Sequence, residues 1–159
     1  MARRKKRVER GIQPDPQHNS KQIAKFINYI MQGGKKETAR RIVYDAFDMI
    51  KNKTKTDPLE VFSRAIKNVS PLLEVRSRRV GGANYQIPFP VRGDRKFTLS
   101  CRWIIEAARS KKGKCMAEKL FLELMDASKN QGWAVKKKED THRMAEANKA
   151  FAHFARFAR

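Results

Sequence analysis

The chain has 159 residues and carries 37 Lys and Arg against 16 Asp and Glu, a formal net charge of +21. An excess of that size implies a polyanionic partner, while 40% apolar and 9% aromatic residues exclude a purely disordered basic tail. No run approaches the ~18 uninterrupted apolar residues of a membrane span. No apolar stretch follows the basic start, so no secretory leader is expected, and Cys101 and Cys115 suit a reducing compartment without a disulfide framework.

The first ten residues hold Arg3, Arg4, Lys5, Lys6, Arg7 and Arg10 against Glu9. Such density predicts a flexible basic arm over 1–11 that orders on its partner. A single helical domain is expected over 12–154, with a short tail at 155–159. The first helix follows Ser20, with Ile23, Phe26, Ile27, Ile30 and Met31 on one face, and Gly33-Gly34 ends it. A second helix is predicted over about 36–51, with Ala39, Ile42, Val43, Ala46, Met49 and Ile50 buried. The third begins at Asp57-Pro58-Leu59-Glu60, where Asp57 can cap and Pro58 suits the first turn. Pro71 stops it.

The period then changes to two. Ala83, Tyr85, Ile87, Phe89 and Val91 alternate with polar residues or proline, and Gly81-Gly82 separates them from Leu73–Val80. A hairpin over 73–91 follows, with Arg79 opposite Asn84, Arg78 opposite Tyr85 and Arg76 opposite Ile87. Pro88 and Pro90 cannot donate to a ladder, so the hairpin is a lone ribbon or an edge. Its base (Leu73, Phe89, Val91) is expected to dock on helices while its arginine-rich tip projects. Three further helices are predicted over about 96–109, 115–129 and 138–152. The fold class is mainly α, six helices with one antiparallel β-hairpin between the third and the fourth.

Catalytic signatures are missing. There is no G-x-S-x-G or H-E-x-x-H, and Gly33-Gly34-Lys35-Lys36 lacks the rest of a phosphate loop. Cys101, Cys115, His142 and His153 have spacings that match no zinc pattern. No cofactor, metal or enzymatic activity is therefore expected. The basic excess instead gathers in clusters: Lys35-Lys36, Arg76/Arg78/Arg79, Arg92/Arg95/Lys96, Arg109/Lys111/Lys112/Lys114 and Lys136-Lys137-Lys138. Together with the N-terminal arm these are the candidate nucleic-acid contacts. Trp103 fits either a half-buried core aromatic or a stacking contact, and Trp133, before the lysine triplet, is equally balanced. No helix reads as a base-reading DNA recognition helix, and no carboxylate cluster supports a metal-dependent nuclease.

The run Pro71-Leu72-Leu73-Glu74-Val75-Arg76-Ser77-Arg78-Arg79-Val80-Gly81-Gly82-Ala83-Asn84-Tyr85-Gln86-Ile87-Pro88 resembles the signature of the small-subunit ribosomal protein seven family, bacterial or organellar type. So do Lys25-Phe26-Ile27-Asn28, Gly34-Lys35-Lys36, Asp57–Phe62 and the long run Lys137–His153. The resemblance spans roughly 12–154. It implies a six-helix domain with a protruding ribbon and a primary binder of small-subunit rRNA of the 16S type that nucleates assembly of the subunit head. It places the protein at the subunit interface near the decoding region, in a cytoplasmic or organellar ribosome, with mRNA, exit-site tRNA and small-subunit proteins nine and eleven as partners and no membrane. On this resemblance Lys35, Lys36, Arg76, Arg78, Arg79, Arg95, Arg102 and Trp103 are rRNA-contact candidates. Arg78, Arg79, Gly81 and Gly82 at the tip, with Arg143, Lys149, His153 and Arg156 near the C-terminus, are candidates for the tRNA and mRNA side. Trp133 stands where the family carries a small residue, and Pro90 where an acidic one is common.

Overall fold

A computed structural model describes residues 11–80 and 82–157, with the side chains of Val80 and of 154–157 outside that description. The elements run α1 (Lys21–Ile30), α2 (Lys36–Thr54), α3 (Pro58–Val69), β1 (Leu73–Val80), β2 (Ala83–Pro90), α4 (Gly93–Ser110), α5 (Met116–Ser128) and α6 (Trp133–Ala147), then a 3₁₀ segment (Lys149–Phe157). Among the described residues, six α-helices with a two-stranded antiparallel hairpin between α3 and α4 form the expected class. The contacts divide the chain into two compact units, and the boundary falls between Arg40 and Arg41, inside α2.

In the first unit, Asp15 is buried and organises the approach to α1. Its carboxylate accepts from the backbone N–H groups of Gln17 and His18, both at 3.3 Å. Ser20 has the extended backbone of an N-cap, but its side chain makes no capping bond. Ile23, Ala24, Phe26, Ile27 and Ile30 are buried, as the 3.6-residue period requires. Gly33 and Gly34 both take positive φ (57° and 75°), which carries the chain from α1 into α2 at little steric cost.

In the second unit, α2 buries Val43, Ala46, Phe47 and Ile50. The Phe47 ring meets Phe62 of α3 at 5.9 Å between centroids. Phe47 is not on the expected stripe; Ile42 and Met49, which are on it, are only half-buried. α3 starts where its sequence dictates, with Asp57 Oδ1 accepting from Leu59 N–H at 3.0 Å and Pro58 in the first turn. Packed around α5 are α3 and α4, which together with it bury Val61, Phe62, Ala65, Val69, Cys101, Ile104, Leu120 and Leu124.

The hairpin has the expected register, with Arg76 facing Ile87, Arg78 facing Tyr85 and Arg79 facing Asn84. Val91 N–H donates to the Leu72 carbonyl at 3.0 Å. That bond sets the phase of the ladder, because hydrogen-bonded pairs alternate along an antiparallel ribbon. Odd-numbered β2 residues then carry the cross-strand bonds. Pro88 and Pro90 fall on the other phase, where no donor is needed, and so two prolines fit in one short strand. At the base Ile87, Pro88, Val91 and Glu74 are buried, whereas Leu73 and Phe89, expected to dock, are only half-buried.

The largest departure from expectation is α6. It begins at Trp133 and ends at Ala147, rather than spanning about 138–152. Gly132 holds φ 95° as its N-cap, and Ala134 N–H donates at 3.0 Å to Oε1 of Glu123, a fully buried carboxylate on α5. This cap comes from another helix, so no local signal marks it. A Cβ at Gly132 would lie 3.2 Å from that same Oε1 and 3.1 Å from Asp126 Cβ. Glycine therefore serves both the positive φ and the close approach. Beyond Asn148 the chain continues as the 3₁₀ segment, and Phe151 packs on Tyr85 of β2 at 5.0 Å between ring centroids.

Candidate nucleic-acid interface

The ribbon presents its arginines in two ways. Side chains alternate across a strand, so Arg78 and Arg79 project to opposite faces, and both are exposed. Arg76 is also exposed but is held from below. Its Nε donates at 2.6 Å to Glu74 Oε1, its terminal nitrogen pairs with the same oxygen, and its guanidinium lies 5.4 Å from the Phe89 ring centroid. Arg95, from α4, donates through Nε to the other Glu74 oxygen at 3.1 Å. One buried carboxylate therefore orients two arginines, and the trio keeps a net positive charge. A guanidinium fixed in this way retains N–H groups for phosphate, which it can grip in a bidentate manner. Gly82 takes φ 92° at the turn.

The C-terminal candidates lie beside this ribbon. Tyr85, directly across from Arg78, rests on Phe151, and the 3₁₀ segment that carries Phe151 also carries the exposed Lys149 and His153. The fold thus joins two stretches that are far apart in sequence. Arg143 on α6 is exposed and faces Asp140 at 3.8 Å. Arg92, Arg102, Arg109, Lys112, Lys114 and Lys136 are exposed at element ends or on outer helix faces, and Lys96 is half-buried. In the first unit, Lys35 and Lys36 are exposed at the turn into α2.

Other candidates have structural duties. Lys138 Nζ donates at 2.6 Å to the Asn68 carbonyl near the end of α3. Lys111 Nζ lies 2.9 Å from Glu123 Oε2 and 3.2 Å from Asp126 Oδ2. Burial draws the Lys111 pKa down, but hydrogen bonds and charge from Glu123 and Asp126 outweigh that and leave it above 10.5. Lys137 Nζ lies over the Trp133 ring, 5.3 Å from the centroid. Trp103 is only 9% exposed and belongs to the core of α4, which leaves almost no ring face for a base. His142 Nε2 accepts from Leu72 N–H at 3.0 Å, so it serves α6 packing at the foot of β1. Burial first, and the Lys138 charge second, hold its pKa below 6.5. Arg3, Arg4, Lys5, Lys6, Arg7, Arg10 and Gly81, and the side chain of Arg156, lie outside the described residues.

Charge and periodicity alone miss Glu74 and Glu123, buried carboxylates that pair with Arg76, Arg95 and Lys111. Their only signal is an isolated acid within a basic or apolar stretch. Among the described residues no group of three or more His, Cys, Asp or Glu could hold a metal ion, and no helix is long and apolar enough to cross a membrane.

Comparison with known proteins gives a consistent picture. The family model described as Ribosomal protein S7p/S5e matches residues 2–149. Small ribosomal subunit protein uS7 of Moorella thermoacetica is 56% identical over 154 residues, covering 97% of this chain and 99% of that protein. The protein of the same name from Thermotoga neapolitana is 59% identical over 152 residues, covering 96% and 98%. That from Methylobacterium radiotolerans is 54% identical over 154 residues, covering 97% and 99%. With a family match over nearly its whole length and relatives of this similarity across distant bacteria, the chain belongs to the ribosomal protein S7p/S5e family in its bacterial form.

Proposed function

We propose that the chain is a structural, non-enzymatic component of the small ribosomal subunit and acts by binding rRNA directly. The observation that carries this reading is the ribbon, which buries Ile87, Val91 and Glu74 at its base and leaves Arg78 and Arg79 exposed on opposite faces. A paired ribbon with a cation on either side suits insertion between RNA segments. Further exposed cations at the α4–α5 turn and along α6 offer additional phosphate contacts. Such contacts gain affinity by releasing counterions, and they read A-form shape and backbone more than base sequence.

A binder that touches several RNA segments holds a junction in one geometry, and this is the physical sense in which it nucleates assembly of the subunit head. In the same reading the ribbon tip and the adjoining 3₁₀ segment face mRNA and exit-site tRNA, and small-subunit proteins nine and eleven are its protein neighbours. Support for the mRNA and tRNA side is the contact of Tyr85, across from Arg78, with Phe151 of the segment that carries the exposed Lys149 and His153; the protein neighbours follow from the family resemblance alone. The test is sedimentation of lysates from bacteria expressing tagged chain. The tag is expected in the small-subunit fraction and to persist in salt washes that strip loosely held basic proteins. Recovery in the free-protein or chromosomal fraction overturns the proposal.

A further inference from the structure

Trp133, the first residue of α6, leaves about a third of its surface exposed beside two lysines. A backbone donor at the start of α6 is satisfied by the buried Glu123 carboxylate, which accepts from Ala134 N–H. Trp133 keeps 37% of its surface exposed with Lys137 already over its ring. Trp133, Lys136 and Lys137 are spaced i, i+3 and i+4, which places them on one face of the helix. Asp140, next on this face, faces Arg143 at 3.8 Å. The patch thus combines a partly exposed indole, a cation over its ring and a second lysine beside it. A π-surface flanked by lysines matches an unpaired nucleotide, whose base stacks while its phosphate meets an ammonium group. A duplex does not match it, because its bases are already stacked.

We propose that Trp133, with Lys136 and Lys137, is a stacking site for an unpaired RNA base. The inference rests on the rRNA-binding reading and adds a residue that reads base exposure, where the other contacts read phosphate. Lys137 steadies the ring, and Lys136 takes the phosphate.

The test is titration of the whole chain with a short oligoadenylate and with a fully paired RNA duplex, followed by tryptophan fluorescence. Trp103, at 9% exposure, is the internal reference. The oligoadenylate is expected to quench the Trp133 share of the emission, and the duplex is not. Trp133→Ala is expected to weaken oligoadenylate binding by roughly tenfold, the scale of one base stack. The salt slope should stay unchanged, because every cation remains. Trp133→Phe keeps an aromatic plane and should retain most of the affinity. Circular dichroism checks that both variants fold. Binding of both RNAs with unaltered Trp133 emission and equal affinity of Trp133→Ala overturns the stacking site and leaves the rRNA reading standing. A Trp133→Ala variant that loses thermal stability but no affinity makes the indole structural and also overturns it. Failure of the wild-type chain to bind any RNA overturns both.

Discussion

Replacement of Glu123 tests whether one buried carboxylate links α5, α6 and the α4–α5 turn. Glu123 is fully buried, accepts from Ala134 N–H at 3.0 Å and pairs with Lys111 Nζ at 2.9 Å. Breaking a buried ion pair by removing one partner costs roughly 3–5 kcal/mol. Here Lys111 keeps 30% side-chain exposure and a second partner in Asp126. The expected cost of Glu123→Ala is therefore lower, about 2–4 kcal/mol, including removal of the cap on α6. Glu123→Gln keeps an oxygen for Ala134 N–H and loses the charge, for about 1–2 kcal/mol. For a chain of this size each kcal/mol moves Tm by roughly 2–4 °C. Thermal and urea denaturation should then rank wild type above Gln above Ala. Amide exchange at Ala134 should accelerate more in the Ala variant. A double-mutant cycle with Lys111→Met should show coupling above ~1 kcal/mol, since the two groups touch. If both Glu123 variants stay within ~0.5 kcal/mol of wild type, the level of an ordinary surface change, and Ala134 stays protected, the carboxylate is a bystander and the reasoning fails.

Three other perturbations have defined outcomes. His142 stays neutral because burial and Lys138 hold its pKa below 6.5, so as pH falls the unfolded chain takes the proton first. Its contribution is intact above pH 6.5 and declines as pH drops toward the lowered folded value; a denaturation series across that range should show the decline, and His142→Gln should flatten it. Replacing Arg78 and Arg79 by Ala should leave Tm near wild type, because both are exposed, while RNA affinity falls and the salt slope drops by about 1 for each phosphate no longer neutralised; a large fall in Tm would show that the ribbon tip is packed. Phe151→Ala removes a ring pairing worth about 0.5–1.5 kcal/mol and should expose the amides of 149–153 to exchange with little change in global unfolding; unchanged protection there would mean that Tyr85 does not anchor the segment.

How much of this is legible in the sequence depends on whether the deciding interaction is local. The hairpin register is legible because the Gly-Gly pair in the sequence signals a turn and the period of two fixes the faces. The start of α3 is legible because Asp57 and Pro58 act within one turn. The start of α6 is not, because its cap is Glu123, eleven residues away on another helix. Gly132 reads naturally as the end of α5, but α5 ends at Ser128 and the positive φ of Gly132 opens α6. The candidate interface divides in the same way. Arg78 and Arg79 follow from the charge pattern and stand exposed. Lys111 and Lys138 look identical to them in sequence, but the fold brings Glu123 and Asp126 to one and the Asn68 carbonyl, 70 residues away, to the other. Charge counting gives the sign of the partner; only tertiary structure tells which cations are already in use.

The most direct test of the central claim is the affinity of the whole chain for a folded small-subunit rRNA junction and for duplex DNA of equal length across a salt series. The rRNA junction should be preferred at physiological salt. For about 6–10 phosphate contacts its affinity should fall by roughly 10³–10⁵ between 50 and 200 mM salt. Equal affinity for RNA and DNA, or an RNA affinity that ignores salt, would contradict the account.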